Sequence, residues 1–90
     1  MSTLRPVLVT ASAVVSAIPA TVGSLIVGIA AAGATVKLHN CTTTGAAAAG
    51  NLVGTFATDA VNPVFIDAYF DVGIVAIVSG GTQSITITVG

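Results

Sequence analysis

The last six residues before the C-terminal glycine, Ser84-Ile85-Thr86-Ile87-Thr88-Val89, alternate hydroxyl and apolar side chains with a strict period of two. That period is the signature of a strand with one face in a core and the other toward water. Upstream, Gly73-Ile74-Val75-Ala76-Ile77-Val78 is a continuous apolar run, the pattern of a strand buried on both faces. Ser79-Gly80-Gly81-Thr82 between them supplies the positive-φ positions of a tight turn, so the two segments are expected to form a hairpin.

The same grammar occurs earlier in the chain. Leu25-Ile26-Val27-Gly28-Ile29 is followed by the small-residue turn Ala30 to Ala34 and then by Thr35-Val36-Lys37-Leu38-His39-Asn40. Shifting this unit by 49 positions places Leu25 on Ile74, Val36 on Ile85 and Leu38 on Ile87. Two hairpins of one design suggest two facing sheets.

The remaining segments add strands. Residues 7 to 15 read as a first strand, with Pro19 ending it before the next, and Met1 to Pro6 reads as an extended arm. Cys41 to Gly50 is a Thr/Ala/Gly loop, with Ala46 to Ala49 between Gly45 and Gly50 read as its flexible tip. After it comes a short strand, Leu52 to Ala57, with Gly54 marking a bulge or close approach. Beyond the turn Thr58 to Pro63, the strand Val64 to Phe70 carries Val64, Ile66, Ala68 and Phe70 on one face and Phe65, Asp67 and Tyr69 on the other. No segment shows helix capping. About seven to eight strands in 90 residues predict an all-β, single-domain antiparallel β-sandwich or jelly-roll-like barrel over 7–90, with 1–6 as its arm.

Charge is scarce. Arg5, Lys37, Asp59, Asp67 and Asp71 are the only charged side chains, 6% of the chain against about 25% in an ordinary soluble domain. A folded monomer of this mass exposes roughly 4,700 Å², which five charges cover poorly. Large uncharged patches and a net charge of −1 favour association, so a homo-oligomer is expected. Two basic residues cannot make a nucleic-acid footprint. The uncharged run from Pro6 to Val36 is long enough for a membrane helix, but Pro19, Gly23, Gly28 and Gly33 interrupt it and Arg5 and Lys37 set no orientation. A cleaved signal ending near Ala30 to Ala34 would remove two strands that the sheets need. Neither a membrane span nor a leader is expected.

The stock of reactive groups is small: one histidine, one cysteine, three aspartates and no glutamate. His39 and Cys41, two apart, would share a strand face, yet Cys41 is expected to be a buried small hydrophobe and the pair to do no chemistry. Asp67 and Asp71, joined by Asp59, could offer oxygens to calcium, but nothing resembles a calcium loop. Gly45 to Gly50 lacks the Lys-Ser/Thr of a phosphate loop. No catalytic residue, cofactor or metal is therefore assigned. The candidate functional residues are those of an interface: Phe65, Asp67 and Tyr69, because aromatic side chains are enriched at such surfaces, and Arg5, which heads an arm that gains order by docking.

With the strands in place, the stretch LIVGIAAAGATVKLHNCTTTGAAAAGNLVGTF and the later PVFIDAYFDVGIVAIVSGGTQSITITV resemble small β proteins found among tailed-bacteriophage virion genes. The resemblance runs from about Val7 to Val89 and lies in the strand, turn and loop pattern. It implies a non-enzymatic capsid decoration or cement protein with a jelly-roll-like fold, made in the host cytoplasm, forming trimers and docking on a major capsid protein or another virion protein. A fibre or tail component and a carbohydrate-binding surface module are the competing readings, the latter limited to Phe56, Phe65, Phe70 and Tyr69 with no tryptophan.

Overall fold

The computed structural model describes residues 4–61 and 63–90. Eight strands follow in order: β1 (Arg5–Val9), β2 (Ala13–Ser16), β3 (Ala20–Ile29), β4 (Thr35–His39), β5 (Leu52–Ala57), β6 (Pro63–Phe70), β7 (Ile74–Ser79) and β8 (Ser84–Val89). They form two four-stranded sheets, a front sheet ordered β1-β8-β3-β6 and a back sheet ordered β2-β7-β4-β5. Every pairing is antiparallel. The expected β-sandwich is present, and its strand order is that of a jelly roll.

The strand pairing corrects the expected hairpins. β7 lies in the back sheet and β8 in the front, just as β3 lies in the front and β4 in the back. Each apolar strand and its alternating partner thus face each other across the core. The turns explain why the sequence does not separate the two cases: four or five residues reach across the ~10 Å between packed sheets as easily as they reverse a hairpin. Glycine is still needed. Gly33, Gly80 and Gly81 all have positive φ. A Cβ on Gly80 would stand 2.5 Å from the Ala34 Cα, because the two turns pack on each other.

The 49-residue echo survives the correction with a different meaning. Advancing each strand number by four, with the count wrapping after eight, converts the front-sheet order into the back-sheet order read from β5. The repeated unit is therefore one strand in each sheet. Leu25, Ile74, Val36, Ile85, Leu38 and Ile87 are all fully buried in one core, joined by Val22, Val27, Phe70, Ala76 and Val89.

Two more boundaries differ from expectation. The strand read over residues 7 to 15 is two strands, because the chain leaves the front sheet after Val9 and enters the back sheet at Ala13. Arg5 and Pro6 are not part of an arm: they open β1 and pair with Val89 and Thr88. Of the rest of that arm, Leu4 precedes β1 and Met1 to Thr3 lie outside the described residues. Pro6 and Pro63 are tolerated in strands because β1 and β6 are the two edges of the front sheet, where a missing N–H breaks no ladder. The accessible surface, 4643 Å², matches that of a closed monomer of this mass.

Candidate functional site on the outer face of the front sheet

Alternation along β6 sends Val64, Ile66, Ala68 and Phe70 inward and Phe65, Asp67 and Tyr69 outward, as the sequence pattern requires. Phe65 is 84% exposed and Tyr69 67%, values that mark rings lying on the surface rather than tucked into it. Between them the strand bulges. Tyr69 pairs with Thr21 and Phe65 with Ser24, and the register shifts opposite Gly23. Asp67 takes up the extra length at φ 48, in the left-handed region that aspartate tolerates better than most residues. A bulge, a charge and a proline on an exposed edge are devices that keep such strands from pairing indiscriminately.

The rings continue into a wider surface. Across β3, β8 and β1 the outward side chains include Ser24, Ile26, Thr86, Thr88 and Leu8, with Leu8 67% exposed. Leu4 lies close over Gly23, where an added Cβ would strike it. Asp67 is the one charged side chain that the alternation places on this face among the described residues, and it sits at the edge strand. Ser24 and Thr88 are satisfied by each other: the Ser24 backbone N–H donates to Thr88 Oγ1 at 2.8 Å and the two hydroxyls lie 2.9 Å apart. Covering them would therefore orphan no polar group.

The structure does not bring Arg5 to this cluster. Arg5 begins β1, the opposite edge of the sheet from β6, and alternates with Pro6 and Leu8, so its side chain starts from the other face. Three strand spacings, about 14 Å, separate the two edges.

The other candidates are apart as well. His39 ends β4 and Cys41 follows it, both buried. Cys41 Sγ donates to the Thr43 carbonyl, while His39 bonds to Ala48 and Asn51, so they form no pair. Asp71 accepts from Asn40 Nδ2 at 2.6 Å, and Asn40 Oδ1 in turn accepts from the Val72 and Gly73 N–H groups. This aspartate holds a turn. Among the described residues no three His, Cys, Asp or Glu side chains converge as metal ligands would.

The segment read as a flexible tip is instead organised. Residues Thr44–Ala46 and Ala49–Asn51 form two 3₁₀ turns. Thr43 caps the first through its hydroxyl, and Asn51 ties the second down by accepting from the Ala48 N–H and donating to the Ala46 carbonyl. The two turns lie over the outer face of the back sheet, where His39 and Val75 are buried although both point away from the core. The spacing of Thr43 and Asn51 was the available sequence signal, since both residue types bond to nearby backbone and set turns.

Comparison with protein-family models, with curated proteins and with solved structures finds no match to this chain.

Proposed function

We propose that this protein is a non-enzymatic structural component of a virus particle, of the capsid-decoration type, that assembles with copies of itself through the outer face of the front sheet. The observation that carries the reading is the pair of exposed rings, Phe65 and Tyr69, on a face with a single charge. Aromatic anchors beside neutral side chains, two of whose hydroxyls, Ser24 and Thr88, already bond each other, suit an association surface, and a charge at the rim disturbs them least. The jelly-roll order supports it more weakly, because that architecture serves viral coats and lectins alike. The resemblance of the strand and loop pattern to phage virion proteins points the same way.

Native mass spectrometry of the purified chain tests the assembly half of this reading. A homo-oligomer, trimer foremost, is expected, and a monomer that persists at high concentration would overturn it. The virion half is tested by adding the chain to purified particles of its parent phage that lack it. Saturable binding to intact heads is expected, and binding to tails alone would move the protein to the tail.

A further inference from the structure

His39 is 6% exposed, yet only one of its ring nitrogens is engaged. Nδ1 lies 3.1 Å from the Ala48 carbonyl oxygen and 2.8 Å from Asn51 Oδ1. The Asn51 oxygen is identified by its own partner, the Ala48 N–H, at 3.0 Å. Both neighbours of Nδ1 are thus acceptors, so Nδ1 carries a proton. Nε2 has no hydrogen bond, and among the described residues no buried side-chain nitrogen or oxygen is left without a partner. Nε2 therefore keeps some contact with open space, and His39 borders a hollow of about 430 Å³ between the back sheet and the 44–51 segment.

The rest of the hollow has a defined chemistry. Lys37 stands two residues before His39 on the same strand and the same face, and Thr44 adds a hydroxyl. Leu52, Ile77 and alanines 47–49 make the remaining walls apolar. Of the elements around the imidazole, β4 contributes Lys37, while β5, β7 and the 3₁₀ turns contribute no titratable group. Pinning the turns accounts for Nδ1 and leaves Nε2 unengaged among the described residues, on a side chain that lines this partly apolar space together with Lys37.

We propose that this hollow binds a carboxylate with a short aliphatic tail. The carboxylate lies between Lys37 Nζ and Nε2–H of the protonated His39 ring, and the tail rests on Leu52 and Ile77. Because Nδ1 is committed to two oxygens, a second ring proton can sit only on Nε2, where it meets the anion without breaking the bonds that hold Asn51. Binding is therefore linked to proton uptake and weakens as pH rises. The shared chemistry admits two sources, a free short-chain acid or the carboxylate end of a peptide.

The chain has one histidine and one lysine, so the two ring nitrogens of His39 and the Lys37 Nζ give signals that no second residue of either type overlaps in NMR of the whole protein. Sodium butyrate is titrated at about pH 5.5 and at about pH 8, because the proposed complex takes up a second ring proton. Saturable shifts of the His39 and Lys37 signals are expected at the lower pH, with affinity about tenfold weaker at the higher. Lys37→Met, at an exposed position, should keep the folded spectrum and weaken binding about tenfold, and Lys37→Arg should restore most of it. An acetyl-Ala-Val peptide acid is compared with its amide. Binding of the acid alone assigns a chain terminus, whereas binding of butyrate but neither peptide assigns a free acid. No saturable shift, equal shifts with butyramide or with matched sodium chloride, or undiminished binding to Lys37→Met would each overturn the proposal.

Discussion

The outer faces of the two sheets carry similar apolar side chains and treat them in opposite ways. On the back sheet the chain folds its own 40–51 segment over Val75 and His39, so these outward residues are buried. On the front sheet Leu8, Ile26, Phe65 and Tyr69 stand open, and no part of the described chain lies across them. The difference comes from where the spare backbone lies. The β4–β5 connection runs twelve residues and stays within its sheet, whereas the four or five residues of the β3–β4 and β7–β8 turns are consumed in crossing between sheets. A face with a long local loop can be covered from within. A face without one stays open, as Phe65 and Tyr69 do.

The largest effect belongs to the core that both faces share. Ile85→Ala should destabilise the subunit by roughly 2–5 kcal/mol in urea denaturation, since a fully buried side chain leaves a cavity. It sets the scale for the two faces. Asn51→Ala comes next, because it removes the side chain that bonds Ala46, Ala48 and His39 together. A loss of about 1–3 kcal/mol is expected, with faster amide exchange at Val75 and Cys41. Unchanged exchange there would show that the back face does not depend on this cover. The smallest effect on folding is that of Tyr69→Ala, within about 0.5 kcal/mol for an exposed side chain. Its effect on association should be about 2 kcal/mol, read as a shift in the dissociation midpoint by sedimentation. If Tyr69→Ala unfolds the subunit as Ile85→Ala does, the front face is structural and the contrast between the faces fails.

What could be read in the sequence followed from local periodicity. The two-sided pattern of β6 and the alternation of β8 placed Phe65, Tyr69, Ile85 and Ile87 on the faces where they lie, because a one-residue slip would turn the whole set over. Gly54 lies beneath the Phe56 ring and beside the bulge opposite Leu38 and His39, as its isolated position in a strand suggested. The partner of each strand was not legible. Gly80-Gly81 dictates a reversal, but reversal within a sheet and across the sandwich use the same residues. The division of residues 7 to 15 was hidden for a related reason, since Thr10 to Ser12 change sheets without glycine or proline. At the candidate interface, Phe65, Asp67 and Tyr69 were legible as one face, whereas Arg5 was not separable from them until β1 and β6 were seen to be opposite edges.

Tyr69 is the only tyrosine, and the chain has no tryptophan, so its fluorescence reports on the front face alone. Iodide quenching of that emission, followed as protein concentration is raised through the association range, tests most directly whether a second molecule covers this face. The account predicts quenching near that of free tyrosine in the dilute monomer, falling several-fold as the oligomer forms. Quenching that stays high while the protein demonstrably associates would place the contact elsewhere and contradict the central claim.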